Sequence, residues 1–213
     1  MRFENRTDAG RQLAAKLGAY RGTRPLVLAI PRGGVPLGRE VADALDGELD
    51  VVLVRKLGAP YNPEFAVGSV GESGKVIIAD YAGRAGADDR YLADEAKRQL
   101  ALIRKRRAQY ATLHTSISPK SRTVIVVDDG LATGATMRAA LDEIRSQNPA
   151  RLVCAVPVAA PNAAAYVRPF CDEWVFLAVE PDFDSVGWFY RDFRQVEDEE
   201  AVALLAQSGN PAG

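Results

Sequence analysis

Residues 123–137, Thr-Val-Ile-Val-Val-Asp-Asp-Gly-Leu-Ala-Thr-Gly-Ala-Thr-Met, concentrate the groups best suited to chemistry. Branched apolar residues run into Asp128 and Asp129, the pattern of a buried strand ending in two carboxylates. Burying both without partners is expensive, so the pair belongs at the strand end, facing solvent or a ligand. Adjacent strand side chains diverge, but a turn at Gly130 can bring both toward one cleft. Carboxylates there accept well from the paired hydroxyls of a ribose. Next come the small residues Ala132, Thr133, Gly134, Ala135 and Thr136. Gly134 admits close backbone approach, and the amides opening a helix at Ala135 form an anion nest to which Thr133 and Thr136 add hydroxyls. A sugar diol and a phosphomonoester at neighbouring positions together describe a 5-phosphoribosyl group. The plainer alternative is a strand-to-helix turn capped by Thr133 or Thr136. No lysine follows Gly134, so this is not a Walker A loop.

Such a loop needs a sheet to hold it. Leu26–Ile30, Val51–Val54, Val124–Val127, Leu152–Val156 and Trp174–Val179 are short branched runs with little polar alternation, as in strands buried on both faces of a parallel sheet. Between them, Val35–Leu45, Ala135–Ser146 and Asn162–Arg168 carry helical patterns. The alternation argues for an open α/β sheet whose ligands bind beyond the carboxyl ends of its strands. Two segments depart from it. Ala66–Val70 and Val76–Ala79 flank Gly71-Glu72-Ser73-Gly74 and read as a hairpin. Asp88–Tyr110 reads as a charged helix with a narrow stripe of Leu92, Ala96, Leu100, Ile103 and Tyr110. Its run Arg104-Lys105-Arg106-Arg107 could touch phosphates; a solvated helix end, favourable to the helix dipole, is the preferred reading.

The run 123–137 resembles the signature of type I phosphoribosyltransferases over about thirteen residues, and two further segments are similar to that family. Ile30-Pro31-Arg32-Gly33-Gly34 ends a strand in a glycine pair, where the family places a pyrophosphate-binding loop. The resemblance implies that Arg32, Gly33 and Gly34 bind pyrophosphate, with a strained or cis peptide at Arg32–Gly33. Val54-Arg55-Lys56-Leu57-Gly58-Ala59-Pro60 looks like the basic pair of adenine-type members, where Arg55 and Lys56 would neutralise the leaving group. Implied with these are a Rossmann-like parallel-sheet core with a small hood and a helical insertion, 5-phosphoribosyl 1-pyrophosphate as donor, and Mg²⁺ held by Asp128 and Asp129 directly or through water. The implied reaction passes phosphoribosyl to a nitrogen heterocycle and releases pyrophosphate. Ala132 stands where 6-oxopurine members carry an aspartate, and Leu152–Ala160 lacks their lysine, so guanine and hypoxanthine are disfavoured acceptors. Glu180–Phe193 is rich in aromatics and roughly resembles the segment closing the base pocket, which makes Phe183 and Trp188 candidate acceptor-stacking residues. Packing of a hood or of a dimer interface is their alternative role. The wider likeness is to a group of bacterial phosphoribosyltransferases with no settled acceptor.

The bulk properties set limits. The 213 residues are 47% hydrophobic and 26% charged, enough for one cored domain, expected over 1–206 with the insertion at about 80–115, hood elements at about 57–79 and 180–196, and a disordered tail at 207–213. The formal net charge of −1 gives no whole-molecule attraction to nucleic acid or anionic lipid. Cys154 reads as a small core residue, and His114, the single histidine, as a loop residue unable to build a multi-histidine metal site. No apolar run approaches membrane length and the N-terminus is charged, so a cytoplasmic protein is expected. Small molecules are the expected partners, and a homodimer is compatible with the sequence. Two other functions are distinguishable: a regulatory protein that binds the donor without turnover, and a phosphatase, which would want more metal-binding carboxylates.

Overall fold

A computed structural model describes residues 2–110 and 116–207; His114 and the tail beyond Gln207 lie outside the described residues. Five strands, β1 (Leu26–Ala29), β2 (Glu48–Val51), β6 (Thr123–Val127), β7 (Arg151–Ala159) and β8 (Glu173–Val179), form one parallel sheet in the order β2-β1-β6-β7-β8. A second sheet is antiparallel: β3 (Val54–Ala59), β4 (Asn62–Gly71) and β5 (Val76–Ile78), in that order. The hairpin expected around Gly71–Gly74 is its β4–β5 corner. The run Val51–Val54, read as one strand, is divided between the sheets: β2 stops at Val51 and β3 begins at Val54. Both halves are apolar because both approach buried surfaces, so composition cannot mark the break.

The central strands sort their side chains by alternation. Val27 and Ala29 of β1, with Ile125 and Val127 of β6, face a core shared with α1 (Arg6–Lys16), α2 (Gly34–Leu45), α3 (Asp89–Tyr110) and α6 (Asp198–Ala206). Leu26 and Leu28, with Val124 and Val126, face the opposite core, closed by α4 (Ala135–Arg145) and α5 (Pro161–Val167). Both faces are thus covered, which is why these strands lack polar alternation. A smaller aromatic cluster of Phe3, Phe189 and Tyr190 joins the N-terminus to the segment after β8.

Helix α3 follows the expected span, and Leu92, Ala96, Ile103 and Tyr110 of its stripe are buried. The basic run at its end is not one solvated surface. Arg104 and Lys105 are exposed, whereas Arg107 reaches inward to Asp50 (2.8 Å) and Glu72 (2.6 Å) and donates to the Val51 carbonyl (2.9 Å). Asp50 is only 1% exposed and also accepts the N–H groups of Val51 and Ile117. One guanidinium therefore ties α3 to β2 of the main sheet and to the β4–β5 corner.

Candidate active site

The order β2-β1-β6-β7-β8 contains a topological switch. From β1 the chain crosses through α2 to β2 on one side; from β6 it crosses through α4 to β7 on the other. The divergence opens a crevice beyond the carboxyl ends of β1 and β6, the usual ligand position in such sheets. Both glycine-containing loops singled out in the sequence lie there. They touch. A Cβ at Gly34 would sit 2.7 Å from the Val127 carbonyl oxygen, and one at Gly33 would collide with the Asp129 carboxylate. The glycine pair is what lets the loop after β1 lie on the end of β6. A non-proline cis peptide occurs in this loop at Pro31–Arg32, one bond earlier than the expected Arg32–Gly33.

Asp128 and Asp129 leave β6 at this contact and take different partners. The Asp129 carboxylate receives Arg6 Nε at 2.9 Å, and its carbonyl accepts the Tyr190 hydroxyl at 2.7 Å. Arg6 is itself fixed: its guanidinium lies 3.8 Å over the Phe193 ring and donates to the Arg194 carbonyl. Asp128 accepts the Asp129 N–H at 2.9 Å. Burial, and then the Asp129 charge, pushes the Asp128 carboxyl well above the usual carboxylate range. Asp129 is also raised by burial, with Arg6 opposing the rise. A largely buried acid pair whose one cation sits on Asp129 suits a positive ion or a hydroxyl donor. Two hard oxygen donors are too few to enclose a metal, but they suit Mg²⁺, which commonly takes one or two carboxylates and completes its shell with water and substrate phosphates.

The phosphate loop follows. Gly134 has φ 78°, the left-handed conformation that aims the chain into α4, and a Cβ there would meet Val167 Cγ1 at 2.9 Å. Ala132, Thr133, Ala135 and Thr136 are exposed, with Thr133 Oγ1 accepting the Ala135 N–H at 3.4 Å. The start of α4 is thus open to an anion. Thr136 and Arg55 face the same space. A cavity of about 90 Å³ is lined by both, together with Pro31 and Arg106, and a wider cleft of about 750 Å³ adds Lys56, Arg98 and Gln99. Arg55 is steered by Gln99 of α3, to which its Nε donates at 2.5 Å.

Other sequence candidates are less converged. The Arg32 guanidinium turns toward Glu197 and Asp198 of the α6 N-terminus, 3.7 Å from each. Phe183 is half-buried and stacked on Phe189, with ring centroids 5.1 Å apart. Trp188 is 68% exposed, and neither aromatic lines the two cavities that hold Thr136. Their segment nonetheless abuts the acid pair, since Val186 Cγ1 would lie 2.7 Å from a Cβ at Gly130. Sequence reasoning did not single out Arg6 or Tyr190. Their spacing from Asp129 carries no periodic signal, and only the tertiary fold brings them to it.

Known proteins bear the same architecture. A sequence model of the phosphoribosyl transferase domain matches residues 3–188. Two Mycobacterium tuberculosis sequences carrying the phosphoribosyl transferase name are 41% identical over 204 residues, which is 95% of this chain and 46% of theirs. The chain therefore spans about half the length of these curated relatives. The crystal structure of TT1426 from Thermus thermophilus is 48% identical with a TM-score of 0.89, covering 99% of this chain and 100% of its own. A Neisseria gonorrhoeae protein solved with bound ppGpp shares the fold at 15% identity and a TM-score of 0.53, covering 99% of both chains.

Proposed function

Because the chain belongs to the phosphoribosyl transferase domain family, we propose that it is a phosphoribosyltransferase using Mg²⁺-bound 5-phosphoribosyl 1-pyrophosphate as donor and a nitrogen heterocycle as acceptor. The observation that carries this reading is the contact between the two loops: Gly33 and Gly34 packed on Val127–Asp129, with the open start of α4 beside them. One crevice thereby offers a diol-binding acid pair, a monoester cradle and a cationic wall.

In this reading Asp128 and Asp129 hold the ribose hydroxyls, and Ala132–Thr136 hold the 5′-phosphate through backbone amides and hydroxyls. The loop Arg32-Gly33-Gly34, with Arg55 and Lys56, receives pyrophosphate. The acceptor nitrogen forms a bond to the anomeric carbon as the bond to the pyrophosphate oxygen breaks, and its electron pair leaves on pyrophosphate. Charge grows on the leaving group, so cations fixed beside it act where they are most useful. Mg²⁺, when bound, would supply further charge neutralisation at the donor. Trp188, exposed on the segment that abuts the acid-pair turn, is assigned to stacking on the acceptor. Phe183 packs on Phe189 within the same segment. The β3–β5 sheet and the segment 180–196 are the elements proposed to cover the crevice during reaction.

Calorimetry with the donor and Mg²⁺ tests the site. Binding should be present in the parent protein and severely weakened by Asp128→Asn, and unchanged binding in that variant overturns the assignment. Release of pyrophosphate should then be screened against nucleobases and small nitrogen heterocycles. Proven donor binding with silence across the screen would transfer the protein to the regulatory class.

A further inference from the structure

The four consecutive cations at the end of α3 have three different fates, and the one left to explain is Arg106. It lines the 90 Å³ cavity with Pro31, Arg55 and Thr136, which come from the loop after β1, the start of β3 and the start of α4. Its Nη2 stands 3.7 Å from Asp198 Oδ1, and Arg32 Nη1 stands 3.7 Å from the same oxygen. That oxygen is buried and has no hydrogen-bond partner among the described residues. At this separation neither guanidinium is saturated by it. A single carboxylate thus stands between two cations, one of which, Arg106, lines the cavity, and it lowers their mutual repulsion without consuming their donors. The Arg106 side chain is 37% exposed.

We propose that Arg106 is a pyrophosphate-binding residue supplied by α3, with Asp198 as the positioning residue that holds it beside Arg32. The inference rests on the donor reading above and deepens it. Pyrophosphate carries several negative charges, and a guanidinium meets such oxygens with a planar two-donor fork. Arg55 approaches from β3 and Arg106 from α3, so the ligand would be gripped between the second sheet and the helix. The α6 N-terminus then contributes to donor binding although it never touches the donor.

The test is calorimetry with three ligands: Mg²⁺-bound 5-phosphoribosyl 1-pyrophosphate, Mg²⁺-bound inorganic pyrophosphate, and ribose 5-phosphate. The proteins are the parent, Arg106→Gln, Arg106→Lys and Lys105→Gln, the last removing an exposed neighbouring charge. Arg106→Gln should weaken both pyrophosphate-bearing ligands by about 10- to 100-fold, the scale of one or two charge-assisted hydrogen bonds. Ribose 5-phosphate should bind within about twofold of the parent, and Arg106→Lys should fall between. Parent-like pyrophosphate binding in Arg106→Gln overturns the proposal. So does an equal loss for all three ligands, which marks general damage, or an equal loss in Lys105→Gln, which marks diffuse electrostatics. Failure of the parent to bind the donor at all removes the donor reading itself, and is recognisable because no variant is needed to see it.

Discussion

Arg107 offers the sharpest test of how the inserted helix is fastened. Replacing it with methionine keeps most of the aliphatic stem and removes the charge. Among the described residues, Asp50, 1% exposed, would keep only the N–H groups of Val51 and Ile117, and the Val51 carbonyl would lose its side-chain donor. Breaking a buried pair from one side costs about 3–5 kcal/mol, because the remaining charge stays buried. The Glu72 contact is more exposed and adds little to that figure. For a chain of this size each kcal/mol moves the melting temperature by roughly 2–4 °C, so Arg107→Met should melt on the order of 10 °C lower. Thermal and urea unfolding at pH 7 measure this. Adding Asp50→Asn should recover much of the loss, because the double variant buries no lone charge. A deficit below about 1 kcal/mol would refute the argument.

Three other outcomes are expected. Asp128→Asn should melt higher than the parent when no ligand or metal is present, with the advantage widening from pH 5 to pH 8. The reason is that the raised Asp128 carboxyl stabilises the native state below its folded pKa and ceases to as it ionises, whereas asparagine never ionises; scanning calorimetry with a chelator decides it. Arg6→Gln should move the acid limb of donor binding toward higher pH, since Arg6 is the cation that opposes the rise of Asp129, and a titration series from pH 5 to 8 shows whether it moves. Gly134→Ala forces a side chain into a left-handed backbone against Val167 and should cost about 1–2 kcal/mol. Its donor affinity should drop more than its stability does, as comparison of melting and calorimetry will show.

Much of the sheet and one of the two central loops were readable from local pattern. The β6 run, its acid pair and Gly134 form one uninterrupted stretch, so residue types and spacing describe that half of the site directly. The loop after β1 was less explicit, because Arg-Gly-Gly fits many helix entries, and its reason emerges only when Gly34 meets Val127. The division of Val51–Val54 between two sheets was hidden since both faces demand apolar residues. Arg107 was hidden for a different cause. Consecutive helix residues point about 100° apart, so four adjacent cations meet solvent, a cavity and a buried carboxylate, and a linear run cannot announce which is which. Arg6 and Tyr190 belong to distant segments whose meeting with Asp129 depends on the finished tertiary fold.

That dependence has a kinetic side. Arg6 and Asp129 are 123 positions apart, and Tyr190 lies 61 further from Asp129 on the other side. Between β1 and β6 the chain must also complete the second sheet and α3. Long loops close slowly, so contacts of such separation form late relative to local helices and hairpins. The acid pair would acquire its cation and its tyrosine only as the last long-range pairings close. A refolding chain should therefore regain helical circular dichroism well before it regains donor affinity, which makes ligand capture a reporter of completed topology rather than of collapse.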